Sequence, residues 1–220
     1  MIKFAQIENM LTTDRVYKEL KNAIFKRTLA PGQKLDIFEL AEQFNVSRTP
    51  VKEAFNRLQL EGLIVIKPRK GTYVAEIDID RIMEVFDARL LFETRSAKIG
   101  AAQGTQEDFR ALRQLIHEMD KFYEAKPFDS MNYNELDIQF HIQIVKMGRN
   151  QVILELYKGL NAHRVTERAF FDRASEKVES SHYQHLEIVE AFEKRDEALA
   201  VSLVANHIEK GKEVLNQSQK

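Results

Sequence analysis

Between Asp78 and the carboxyl terminus a single proline, Pro127, interrupts a chain whose apolar residues return every three or four positions, and no other feature limits the possible folds so sharply. Proline removes an amide donor and clashes with the preceding helical turn, so its near-absence lets helices run long. The period predicts helices over 79–103, 105–125, 129–147, 150–174, 176–194 and 196–217. The breaks fall at Gly104-Thr105, Pro127, Gly148-Arg149-Asn150, Ser175 and Arg195-Asp196, each a breaker or a cap-prone polar step, with Asn150 expected to cap the helix after it. Six helices with short links predict an antiparallel bundle.

The first part of the chain is built differently. Residues 1–75 carry 13 Lys+Arg against 8 Asp+Glu, a net of +5, whereas residues 76–220 carry 20 against 26, a net of −6. The overall charge of −1 is therefore the sum of a basic module and an acidic one, and phosphate contact belongs to the first. We place the boundary between 1–76 and 77–220. A helix from about Asp14 to Lys26, capped by Thr12 or Thr13, precedes a turn at Leu29-Ala30-Pro31-Gly32. Asp36 then opens a short helix with Ile37, Leu40, Ala41 and Phe44 facing inward.

The run SRTPVKEAFNRLQLEGL over 47–63 follows after only Asn45-Val46. Ser47 and Thr49 are N-cap types, Pro50 suits a first helical turn, and Gly62 marks the stop. Val51, Ala54, Phe55 and Leu58 form one apolar face and leave Arg48, Lys52, Asn56 and Arg57 on the other. Two short helices joined so tightly, the second basic at its start, match a helix-turn-helix for duplex DNA. Beyond Leu63 the period becomes that of strands, 64–67 and 72–75, around the turn Pro68-Arg69-Lys70-Gly71. That is a β-hairpin wing, where Gly71 permits close backbone approach to a phosphate or the minor groove. The expected fold is thus mainly α: an N-terminal winged helix-turn-helix with a small β-hairpin, and a C-terminal all-α antiparallel bundle of about six helices.

These residues carry a resemblance. Pro31-Gly32-x-x-Leu35, Leu40-Ala41-Glu42, Val46-Ser47-Arg48-Thr49-Pro50-Val51-Lys52-Glu53-Ala54, Arg57-Leu58, Glu61-Gly62-Leu63 and Arg69-Lys70-Gly71 together resemble the winged-helix domain of GntR-family transcription regulators. The resemblance implies that Ser47, Arg48, Thr49 and Lys52 meet the major groove and its phosphates, while Arg69, Lys70 and Gly71 serve the wing. Lys52 stands where the family usually has arginine; it keeps the charge and loses the planar fork for bidentate guanine contact. One module reads little sequence, so a homodimer on a pseudo-palindromic operator is expected.

In the acidic module, polar residues at apolar positions are the informative ones. Asp137 and His141 stack four apart in LDIQFHIQIV, a run that alternates like a strand and is read here as helix from its bundle context. His185 shares a stripe with Val189 and Phe192, and His207 one with Leu203 and Val204. Each histidine alone reads as a hydrogen-bonded core residue. Three histidines and an aspartate from three helices read together as ligands for a divalent transition metal, Zn, Ni, Mn or Fe. Arg89 and Glu93, four apart on an apolar stripe, read either as an internal salt bridge or as an arginine clamp for a carboxylate. Arg164 and His163 are further cavity candidates, and His182, three residues before His185, is an alternative ligand ranked below a place at the surface or behind the ligands.

The spacing Asp137-x-x-x-His141, Asn150, His185-x-x-Ile188, Ala191, Asp196, Ala200 and His207-Ile208 resembles the metal-binding version of the FCD-type effector domain of the FadR branch of that family. The resemblance implies a homodimer binding a metal and a small organic acid through that domain, with Arg89 and Arg164 as effector contacts. The function expected is a DNA-binding transcription regulator, a repressor whose operator affinity is set by the acid. A metal-dependent enzyme with an accessory DNA-binding module is the alternative, and a metal that is itself structural or sensed is a third reading. Absence of cysteine excludes disulfides, thiolate ligands and cysteine nucleophiles. No membrane-length apolar run occurs, so a cytoplasmic protein is expected.

Overall fold

The computed structural model describes residues 8–126, 128–160 and 174–217. The chain divides into two compact units, Met1–Ile77 and Asp78–Lys220.

The first unit runs α1 (Glu8–Phe25), β1 (Lys34–Leu35), α2 (Ile37–Gln43), α3 (Arg48–Leu60), β2 (Ile64–Lys67) and β3 (Gly71–Val74). Helix α1 starts at Glu8, earlier than the cap expected at Thr12 or Thr13. Thr13 has a partner elsewhere: it is buried and its hydroxyl donates to Glu53 of α3 at 2.8 Å. Helix α2 begins where Asp36 accepts from the amides of Phe38 and Glu39, which satisfies two of the otherwise orphaned donors of its first turn. Val51, Ala54, Phe55 and Leu58 of α3 are all buried, as the spacing predicts, against Val16 and Leu20 of α1 and Leu40 of α2.

The hairpin belongs to a three-stranded antiparallel sheet of order β1-β3-β2, with Lys67 opposite Gly71 and Leu35 opposite Thr72. Strand β1 is too short to leave a period in the sequence. Asn45 between α2 and α3 takes φ 52° and Gly62 after α3 takes φ 70°, left-handed turns that end each helix sharply.

The second unit holds α4 (Ile79–Gln103), α5 (Gln106–Tyr123), α6 (Ser130–Met147), α7 (Gln151–Gly159), α8 (Ala174–Glu193) and α9 (Glu197–Gln217). Helix α4 is the hub, packing against α6, α7, α8 and α9. Thr105 and Asp108 close a reciprocal capping box on α5, and Asn150 caps α7 by accepting from the Ile153 amide. The helix expected over 150–174 is described only to α7, and 161–173, with His163 and Arg164, lie outside the described residues. The break expected at Ser175 does not occur, because α8 already begins at Ala174.

Close approach of α4 and α6 depends on Gly148. A Cβ there would lie 2.8 Å from the Ser96 Cβ and 3.0 Å from its Cα, backbone that cannot swing aside. Its φ of −68° suits any residue, so a substitution tests packing alone. Gly148→Ala is expected to destabilise the protein by about 1–3 kcal/mol through overpacking. Chemical denaturation monitored by circular dichroism checks this; unchanged stability means that the two helices part without cost.

Candidate functional site

Two places in the molecule gather the predicted residues. The first is the face of α3 opposite its buried stripe. Ser47 stands at the N-cap in extended backbone, with its hydroxyl not used to cap the helix. Arg48, Thr49, Lys52 and Asn56 are exposed. With Ile37 and Phe38 of α2, and with Glu53, they line an open concavity of about 540 Å³. Positive side chains sit at a helix N-terminus whose amides add partial positive charge, an arrangement suited to an anion.

Arg57, grouped by spacing with these residues, is turned elsewhere. Its guanidinium donates to Asp14 and lies 4.1 Å over the Tyr17 ring, so it braces α1 against α3. At the hairpin tip Arg69 and Lys70 are exposed, with Arg69 at φ 62°. Tyr73 fixes the turn by donating to the Lys70 carbonyl at 2.9 Å. Gly71 has φ 119°, and a Cβ there would come 3.0 Å from the Lys34 side chain. Glycine is thus favoured by the backbone conformation, since the Lys34 side chain could move aside.

The second place is a histidine cluster inside the helical unit. Helices α6, α8 and α9 bring His141, His185 and His207 together, each offering a nitrogen within 4.8 Å of the others. Asp137, one turn before His141, puts Oδ1 3.3 Å from His185 Nε2 and 3.8 Å from His141 Nε2. All three rings are buried, and Phe140 packs 4.5 Å from the His185 ring.

The outer nitrogens are held from behind. His141 Nδ1 donates to Glu93 Oε2 at 2.6 Å, and His207 Nδ1 donates to Gln184 Oε1 at 2.9 Å. Carboxylate and amide oxygens only accept, so both rings carry a proton on Nδ1 and turn Nε2 toward the cluster. Burial, reinforced by His185 and His141 and opposed by Asp137, holds His207 well below the ordinary histidine pKa and therefore neutral.

Glu93 is a buried carboxylate with none of its side chain exposed. It accepts from Arg89 Nε at 2.8 Å and from the Tyr157 hydroxyl at 2.6 Å as well as from His141. Burial works against the Arg89 charge, but Glu93, Tyr157 and Asp137 together overcome it and raise the guanidinium pKa. The same burial, followed by Glu93, pushes the Tyr157 phenol up. Of the two readings of Arg89 the salt bridge is present, and its Nη2 also lies 3.4 Å from both His141 ring nitrogens.

Tyr157 and Gln184 had no signal in the sequence, because a hydrogen-bond partner from another helix leaves no period. His182, placed by spacing at the surface or behind the ligands, is buried beside α5 and α6. Its Nε2 lies 2.9 Å from Asp120, and Tyr123 stacks on its ring at 4.8 Å.

The donor set fits a divalent transition ion: imidazole nitrogens, one carboxylate and outer partners that orient the His141 and His207 rings.

Residues 12–74 match the profile of the bacterial regulatory proteins of the gntR family, and residues 84–210 match that of the FCD domain. The chain belongs to the GntR family, with an FCD domain as its carboxyl-terminal part. It is 31% identical over 205 residues to the HTH-type transcriptional repressor RspR of Escherichia coli, covering 92% of this chain and 88% of that one. The Nta operon transcriptional regulator of Aminobacter aminovorans is 28% identical over 180 residues, covering 82% and 83% of the two chains. Among solved structures, E. coli McbR/YncC superposes over the full length of both chains with a TM-score of 0.70 at 18% identity, a likeness of fold. This GntR-family chain is a DNA-binding transcription regulator. Among the described residues no helix is long and apolar enough to cross a membrane.

The buried carboxylate supplies a test of the network. Glu93→Ala leaves the Arg89 charge uncompensated in the interior and is expected to cost about 3–5 kcal/mol of stability. Equilibrium urea unfolding measures it, and a loss below about 1 kcal/mol would mean that Arg89 has another buried partner.

Proposed function

We propose that this regulator is a homodimeric repressor whose operator affinity is set by a small organic acid held at a divalent transition metal in its FCD domain. The observation that carries the reading is the convergence of His141, His185 and His207 with Asp137 on one buried point, each ring aimed by a hydrogen bond or by packing. When bound, a five- or six-coordinate ion supplies Lewis-acid positions for the acid's carboxylate beyond those four ligands. Arg89 lies alongside with Nη2 toward His141, which supports a second contact to the same carboxylate while Glu93 keeps the guanidinium in place. Arg164 is proposed as a further effector contact on the family resemblance alone.

On the DNA side Ser47, Arg48, Thr49 and Lys52 are assigned to the major groove, and Arg69, Lys70 and Gly71 to the wing. The exposure of Ser47, Arg48, Thr49, Lys52, Arg69 and Lys70 supports this. Half-sites of a pseudo-palindrome then meet the two copies of the winged helix. Repression is the direction taken from the name of RspR. The regulator names of these relatives favour this reading over a metal-dependent enzyme.

Elemental analysis of purified protein is expected to find one metal per chain, and His185→Ala and His207→Ala to lose most of it. Full occupancy in both variants would remove the cluster from consideration. A thermal-shift screen of mono-, di- and tricarboxylates on the metal-loaded protein should yield a selective stabiliser, since a ligand of the native state raises its stability by mass action. Arg48→Ala is expected to weaken binding to DNA from the protein's own promoter region by about 1–3 kcal/mol with the fold intact. A gel-shift titration reads this, and unchanged affinity takes Arg48 off the interface.

A further inference from the structure

The geometry points to Phe38 as a positioning residue that holds Arg48 ready to read a base. Phe38 is a large apolar side chain on the first helix of the helix-turn-helix, and it is 63% exposed. The Arg48 guanidinium carbon lies 5.1 Å from the centre of its ring, within the range of a cation–π contact. Both side chains line the concavity between α2 and α3, beside Thr49, Lys52 and Asn56.

The ring is itself fixed at its base. The Phe38 amide donates to the Asp36 carboxylate at 2.7 Å, which pins the first turn of α2, and buried Leu40 and Ala41 hold that helix against α3. A long arginine at a helix start otherwise samples many rotamers and must give them up when it meets a base edge. Stacked on Phe38, it gives up part of that freedom before DNA arrives. Lys52 lacks the planar fork that preorganises a two-point guanine contact, so base discrimination on this helix rests more heavily on Arg48. The consequence is that Phe38 acts on sequence discrimination rather than on general affinity for the duplex. This inference rests on the assignment of α3 as the base-reading helix.

The experiment uses the full-length protein and a pool of randomised duplexes at fixed salt. Wild type, Phe38→Ala, Phe38→Tyr, Arg48→Ala and the Phe38→Ala/Arg48→Ala double variant are compared on the enriched duplex and on an unrelated one. An exposed cation–π contact of about 0.5–1 kcal/mol is a factor of about 2–5 per half-site. Phe38→Ala should therefore lower the specificity ratio about 4- to 25-fold on a duplex with two half-sites, with unchanged affinity for the unrelated duplex, salt slope and melting temperature. Phe38→Tyr should restore the ratio, and Phe38→Ala should have no further effect in the Arg48→Ala background.

An undiminished ratio in Phe38→Ala overturns the inference, as does an equal loss with Arg48 already removed. Loss of affinity for both duplexes together also overturns it, because that is the signature of a structural or general contact. A wild type that enriches no sequence refutes instead the underlying assignment of α3, an outcome readily told apart from these.

Discussion

Glu93 is the interaction on which the helical unit depends. A carboxylate with no exposure is costly to bury, and it persists only where donors surround it closely. Here they come from separate elements: Arg89 from α4 itself, His141 from α6 and Tyr157 from α7. Each bond fixes one rotation. The His141 contact sets the turn of α6 relative to α4, which directs the His141 Nε2 edge toward Asp137 and the histidines of α8 and α9. Hydrophobic packing alone tolerates small rotations of a helix about its axis, whereas a desolvated carboxylate bound to three partners does not.

The DNA-binding unit uses its charges in two ways. Arg57 and Lys21 pair within it: the exposed Arg57 with Asp14 and the Tyr17 ring, and Lys21 with Glu61 at 3.3 Å in a nearly buried pair. These cations lock α1 to α3. Arg48, Lys52, Arg69 and Lys70 are displayed on the surface instead. A net positive charge summed over the unit does not distinguish bracing cations from presented ones, and only the latter can release counterions from a phosphate backbone.

That difference explains what was legible in the sequence. Helical period located α4 from Ile79 to Gln103 and the buried stripe of α3, because burial imposes a repeat on the residues it touches. Glycine and asparagine at the turns, and the wing, were legible for the related reason that special dihedrals demand special residues. Partners across helices were not. Arg57 and Arg48 look alike in spacing, and only the position of α1 separates them. The start of α1 departs from the expected cap at Thr12 or Thr13, and the Thr13 hydroxyl is held instead by Glu53 forty residues away. The three histidines and Asp137 could be grouped because each occupies an apolar stripe, while Tyr157 and Gln184 lie where such residues are ordinary.

On the proposed reading, control of DNA binding requires that the effector bind two arrangements of the protein with different affinity, whatever route joins the units. The ligand residues lie on α6, α8 and α9, and their outer partners on α4 and α8, so anything that draws the rings together acts on helices that all pack on α4. A tenfold change in operator affinity needs a differential of only about 1.4 kcal/mol. Interactions between desolvated charges change by that much for small displacements, and the Glu93 bonds leave α6 little freedom to absorb such displacements locally. A site built from ligands on three helices, with one of them anchored to the hub, therefore favours transmitting a shift over dissipating it. The same four ligands on a single loop would bind an ion as well and convey nothing.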